Sequence, residues 1–191
     1  MKIRLLSFAL AAASLFPLAA QAQQAIVPAQ SEIAFTSRQM GVPVEGKFKS
    51  FSAQVAFDPA RLATSQIAFT VDTGSVDINR ETNAEVVKPT WFNVGAFPKA
   101  TFQSSTIKRI DANKFEVAGK LSIKGVSSDV VVPVTVAQTG TGSTAVTTAS
   151  GAFPIKRLSF RIGEKEWTDT SIVADEVQVK FRIALTGVGK L

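Results

Sequence analysis

Glu164, Glu166, Asp169, Asp175 and Glu176 form the densest set of carboxylates in the sequence, enough to raise calcium binding or general acid–base chemistry. Their spacing lacks the alternating ligand pattern and central Gly of a calcium loop, and nothing sets two of them opposite each other. A solvated loop partly neutralised by Lys165 is the plainer reading. The remaining chemistry is limited by omission, because the chain contains no His, no Cys and no Tyr. Ser-His-Asp and Cys-His nucleophiles are excluded, as are the Cys/His ligand sets that hold zinc, haem iron or iron–sulfur clusters. The sequence thus points to no metal site and requires no cofactor. An enzyme acting through Glu164 and Asp169 ranks third among the function classes.

Arginine offers a different chemistry, the recognition of an anionic headgroup. Arg157 shares parity with Phe153 and Ile155, so an inward-leaning guanidinium there could meet a phosphate bidentately. Arg38 is a second headgroup candidate and Arg161 a weaker one; Trp91 and Trp167 are candidate rim residues or ordinary core. Any one of these Arg could equally be a surface residue lying over apolar neighbours. The 21 Lys plus Arg against 15 Asp plus Glu are scattered and lack aromatic interleaving, which argues against nucleic acid.

The elements that must position these side chains start after a removable leader. Lys2 and Arg4 precede an apolar run from Leu5 to Ala20, and Ala20-Gln21-Ala22 presents small residues where a signal peptidase acts. Cleavage is expected after Ala22, leaving residues 23–191 as one domain. Pro17 interrupts the apolar run, which is short for a membrane span of roughly 20 residues. No Cys follows for a lipoprotein anchor.

Period-two alternation fills the rest of the chain. Val177, Val179, Phe181, Ile183 and Leu185 share one face; so do Phe115, Val117, Gly119, Leu121 and Ile123; so do Val130, Val132, Val134 and Val136. Ile67, Phe69 and Val71 form a fourth face and Ala53, Val55 and Phe57 a fifth, with further strands near 31–38, 100–109 and 144–156. Parity slips between Phe48 and Phe51, and between Ile155 and Leu158, suggest a bulge or kink near Lys49-Ser50 and another near Lys156-Arg157. Asn113, Lys124-Gly125 and Thr139 to Ser143 mark turns. Asp58-Pro59 reads as the cap of a single helical turn, and Thr82 to Val87 as a short helix stopped before Pro89. About eight strands with one apolar face each call for an all-β fold, a closed antiparallel barrel or a two-sheet sandwich, and closure removes exposed edges. Outward Glu, Lys and Arg argue against an outer-membrane barrel.

An eight-stranded barrel is just wide enough to be packed by side chains or to hold one small ligand. Twelve of the 14 Phe and both Trp lie beyond the leader, with no Tyr hydroxyl to satisfy, which suits a hydrocarbon ligand. The expected wall is Phe35, Phe57, Phe69, Phe102, Phe115, Leu121, Val132, Phe153, Ile155 and Phe181.

The order of short motifs adds to this. Ile33-Ala34-Phe35, Gln39-Met40-Gly41-Val42, Gly46-Lys47-Phe48 and Phe57-Asp58 resemble the opening of the YceI-like family of periplasmic polyisoprenoid-binding proteins. Ser75-Val76-Asp77, Trp91-Phe92-Asn93, Phe97 to Phe102, Gly119 to Val126 and the strand from Val177 to Leu185 continue the resemblance in order. It implies an extended, lipocalin-like, eight-stranded antiparallel β-barrel with a short helical segment between two strands, enclosing an apolar pore for an isoprenoid chain of polyprenyl phosphate or quinone type. Some members carry His beside the first Gly and in the helical segment, where this chain has Gln39 and Val86, so no histidine role carries over. The expected function is carriage or storage of an isoprenoid lipid in the periplasm, without catalysis. The alternative is a protein-interaction module assisting a membrane redox or stress-response system without its own ligand. Transient contact with a membrane or a membrane cytochrome fits either reading, and the sequence leaves the oligomeric state open, a homodimer included.

Overall fold

The computed structural model describes residues 24–191, and the expected signal peptide with its cleavage point lies outside the described residues. Alternation builds eleven strand segments: β1 Ala25–Ile26, β2 Glu32–Gln39, β3 Val42–Phe48, β4 Phe51–Ala56, β5 Gln66–Asp72, β6 Val76–Asp77, β7 Lys99–Arg109, β8 Lys114–Ile123, β9 Val126–Thr139, β10 Val146–Lys156 and β11 Glu176–Thr186. The single α-helix among the described residues, α1 (Arg80–Val86), stands between β6 and β7. Every pairing is antiparallel, in the order β4-β5-β7-β8-β9-β10-β11-β2-β3-β6, with β1 also on β11.

The eleven segments occupy eight lanes of a barrel, because three lanes are interrupted. β1 and β2 lie in line along β11, β3 passes into β4 across Lys49-Ser50, and β5 passes into β6 across a 3-10 turn at Thr73–Ser75. The two breaks face each other and stay hydrogen-bonded: the Asp72 amide donates to Ser50 O (3.0 Å) and the Lys49 amide to Ser75 O (3.0 Å). Closure therefore runs through β2 on β3 and β4 on β5, while β9 and β10 pair only over Thr135–Thr139 and Val146–Ser150. Where β1 and β4 diverge, the Gln24 side chain spans the gap, donating to Phe57 O (2.7 Å) and accepting from the Phe57 amide (2.9 Å).

Met40-Gly41 and Lys124-Gly125 make two-residue hairpin turns in which both residues have positive φ (48° and 80°; 49° and 75°), the geometry whose twist matches its flanking strands. The Lys49-Ser50 slip is a break between β3 and β4, and of the bulge or kink expected at Lys156-Arg157 the structure shows the kink. There β10 ends and Arg157–Phe160 turns as a 3-10 helix, so Leu158 and Phe160 do not continue a strand. A bulge lies instead between Ser104 and Thr106 on β7. It was legible in the opposite parity of Phe102 and Ile107, both of which face inward. Asp58-Pro59 caps no helix: Asp58 Oδ1 accepts from the Ala60 amide (2.9 Å) in an Asx turn, and the 3-10 turn follows at Leu62–Thr64. α1 starts two residues earlier than expected because Asn79 Oδ1 caps the Thr82 amide (2.9 Å).

Candidate functional site

A cavity of about 510 Å³ follows the barrel axis. Every second residue of β11 from Val177 to Leu185 lines it, which at a rise of ~3.4 Å per residue makes it roughly 27 Å long. All ten expected wall residues, from Phe35 to Phe181, stand on this wall, and nine of the chain's Phe contribute to it. Sequence reasoning missed the polar part of the lining: Ser37 and Gln39 from β2, Thr101 from β7, Thr147 from β10, and Glu81, Thr82 and Glu85 from α1. Gln39 and Glu81 line the cavity while exposed, so they stand where it meets solvent. An i, i+4 carboxylate pair on a helix bordered by Val86 and Ile78 was the available signal.

The cavity stays open because of how three rings are seated. A Cβ on Gly46 would lie 2.4 Å from the Phe35 ring, one on Gly119 2.6 Å from the Phe102 ring, and one on Gly151 2.7 Å from the Phe181 ring. Phe35 pairs with Gly46 and Phe181 with Gly151 directly across neighbouring strands. Each ring thus sits against a glycine, in space that a side chain there would occupy; at Gly119 and Gly151 the added Cβ would also meet the backbone oxygens of Gln103 and Pro133.

The solvent-facing end of the cavity, where Gln39 bridges to Val173, is built on Arg157. It is only 2% exposed, and its five N–H groups all meet backbone carbonyls: Nε donates to Ala174 O (3.0 Å), Nη1 to Ile162 O (2.9 Å) and Gly163 O (3.2 Å), Nη2 to Trp167 O (2.7 Å) and Val173 O (2.6 Å). Burial lowers its pKa from the ordinary value and the charge of Asp175 opposes that shift. The headgroup role expected for Arg157 is therefore corrected: the fork that would grip a phosphate is already spent on holding residues 162–174. Arg38 is corrected too, since alternation turns it outward between Ser37 and Gln39, where Nη1 donates to Gly41 O (3.2 Å). Trp91 is 8% exposed, so it is wall and not rim, and its ring sits 5.4 Å from that of Trp167. The Arg157 guanidinium lies 5.8 Å from the Trp91 ring centroid.

The carboxylates do not converge. Glu164 pairs with Lys124 (2.8 Å) and Arg161 (3.2 Å), not with Lys165 as expected, and those two cations hold its carboxyl below the usual range. The Lys124 side chain is buried and also donates to Arg161 O (2.7 Å), tying the β8–β9 turn to the loop. Asp169 is lowered by hydrogen bonds from Ser171. Among the described residues no group of three or more His, Cys, Asp or Glu is placed to hold a metal ion.

An antiparallel barrel with an axial apolar cavity and one short helix is the architecture to compare with known proteins. The YceI-like domain model matches residues 25–185. The chain belongs to the YceI-like family. A UPF0312 protein of Vibrio parahaemolyticus is 30% identical over 137 residues, 69% of this chain and 72% of that protein. BcnA of Burkholderia cenocepacia superposes with a TM-score of 0.77 at 47% identity, covering 83% of this chain and 98% of that one. A polyisoprenoid binding domain from Saccharophagus degradans, implicated in plant cell wall breakdown, shares the fold at a TM-score of 0.67 and 13% identity over 86% and 98% of the two chains. In this YceI-like chain Gln39 and Val86 both line the cavity.

Proposed function

We propose that the protein binds an isoprenoid lipid in the axial cavity and carries or stores it in the periplasm, without a catalytic step. The observation that carries this reading is the cavity itself, roughly 27 Å long and walled by nine Phe, each ring packed with no polar demand of its own. Each methylene buried there would contribute about 0.8 kcal/mol, so a long chain binds tightly without specific polar contacts. Membership of the YceI-like family and the likeness to a polyisoprenoid binding domain support the same reading. Mass spectrometry of organic extracts from the purified protein tests it. A co-purifying isoprenoid is the expected result; no lipid in the extract, together with no uptake of added prenols or quinones, would sink the proposal.

A second reading rests on the outside of the barrel. Met40, Val42 and Ile172 are 72%, 63% and 38% exposed, and the Met40 amide donates to Ile172 O (2.8 Å), so they form one apolar surface at the β2–β3 turn. A module docking on a membrane or a membrane cytochrome would use it. Val132→Trp, which fills the cavity, abolishes lipid uptake under the first reading and leaves docking intact under the second.

A further inference from the structure

Trp91 follows α1 in a turn whose amide donates to Lys88 O (3.0 Å), and Trp167 sits in the 3-10 turn Lys165–Thr168. The two turns are docked together, since the Gly163 and Glu164 amides both donate to Thr90 O (2.8 Å) and Arg157 Nη2 holds Trp167 O. Both indoles line the cavity, and both Nε1 atoms are shielded from solvent with no acceptor among the described residues. Buried indole N–H groups normally find a partner, so two orphans side by side on one cavity wall need an explanation.

We propose that Trp91 and Trp167 form a hydrogen-bonding subsite for an uncharged acceptor oxygen on the bound lipid, a carbonyl in chemical class. The inference rests on the lipid-binding reading above and adds its polar specificity. A carbonyl oxygen has two lone pairs for two donors and no hydrogen of its own that would need an acceptor. The electrostatics of the wall point the same way. Arg157 is the one cation of the lining among the described residues, and its five N–H groups are taken. Two carboxylates, Glu81 and Glu85, line the cavity as well; Lys88 pairs with Glu85, and no ion pair engages Glu81 among the described residues. A phosphate would meet negative charge and no free guanidinium, whereas indole N–H groups offer hydrogen bonds without charge. Because neither nitrogen is open to solvent, reaching them takes a rotation of the rings, and binding therefore changes the environment of both indoles.

The chain has two Trp and no Tyr, so its intrinsic emission reports on this subsite alone. Four probes with one geranylgeranyl tail separate the head chemistries: menaquinone-4 for a quinone carbonyl, geranylgeranyl acetate for an ester carbonyl, geranylgeraniol for a hydroxyl, and geranylgeranyl phosphate. The carbonyl probes are expected to bind about tenfold or more tightly than the phosphate, and the stronger of the two identifies the carbonyl's source. Trp91→Phe and Trp167→Phe, which keep a ring and remove the donor, are expected to weaken the carbonyl probes about threefold to tenfold and leave the phosphate unchanged. The two indole N–H resonances of the unmutated protein are expected to move downfield with the acetate and not with a saturated C20 hydrocarbon. Equal affinity for acetate and phosphate, uniform weakening of every probe by the Phe variants, or unmoved indole resonances would each overturn the subsite and leave lipid binding standing. Binding of none of the four probes would overturn both.

Discussion

The two ends of the barrel are stabilised by different physics. At one end Phe57, Ile107, Phe115, Val136, Ile183 and Leu185 make an apolar cluster, with Phe57 edge-on to Phe115 at 5.4 Å. Each of these side chains comes from a strand or its flank, where alternation alone aims it inward. At the other end Trp91, Phe160, Ile162 and Val173 come from turns, and a buried guanidinium holds them by bonding the carbonyls those turns leave over. Strand ladders satisfy their own backbone and can be covered by hydrocarbon; turns at the cavity's polar end cannot, so a charged side chain fills that role. The contrast teaches that the cavity joins a region made by pattern to a region made by a hydrogen-bond network.

The sharpest way to break that contrast is to cut each end separately. Phe115→Ala, removing a ring that is 2% exposed, is expected to cost about 3–5 kcal/mol. It should lower the urea midpoint of the whole barrel. Arg157→Met is expected to cost about 2–3 kcal/mol, because it strands buried carbonyl acceptors. Its effect should be local, with hydrogen exchange accelerating in residues 157–175 and not in β8 or β11. Exchange rising equally everywhere in the Arg157 variant would erase the distinction between the two ends.

A smaller effect is expected between the ends, where the lumen is kept open. Gly46→Ala pushes on side chains only, the rings and chains of Phe35 and Ile78, and is expected to cost about 1–3 kcal/mol. Lipid capacity, measured as moles extracted per mole of protein, should fall with it. Unchanged capacity would mean that Phe35 has room to move aside without entering the lumen.

The smallest effect concerns acid. The folded carboxyl of Glu164 lies below its ordinary pKa because Lys124 and Arg161 favour its charged form. A group depressed in the folded state stabilises the fold above its unfolded pKa and loses that contribution as pH falls through the folded value. Unfolding midpoints taken from pH 7 to pH 3 should therefore fall less steeply in Glu164→Gln than in the unmutated protein. Parallel slopes would show that the pair linking the β8–β9 turn to the loop carries no pH dependence.

The legibility of the molecule divides along the same line. Val177 to Leu185 and Phe115 to Ile123 could be assigned to the interior by counting, because a strand offers two faces and water takes one. The ten wall residues followed from that count. Arg157 does line the cavity, as its parity with Ile155 indicates, but that its N–H groups are taken by carbonyls of residues 162–174 could not be read from spacing, since β10 stops at Lys156. Arg38 was misjudged by type rather than by pattern, as its own alternation already turns it outward. The α1 lining was missed because a seven-residue helix has too little periodicity to reveal which side it presents.

By itself, then, the sequence determined the fold class, the inward faces, the hairpin turns and the absence of His, Cys and Tyr from any site, since each follows from local geometry or composition. Only the tertiary structure decided that the lumen remains a cavity, that Arg157 is occupied and that two indole donors are left without acceptors. Those outcomes depend on which backbone carbonyls and rings meet from distant parts of the chain: Phe35 over Gly46, Arg157 among residues 162–174, Trp91 against Trp167. A hydrogen bond or a ring seat needs its partner within a few ångströms, and no spacing along the chain specifies that distance.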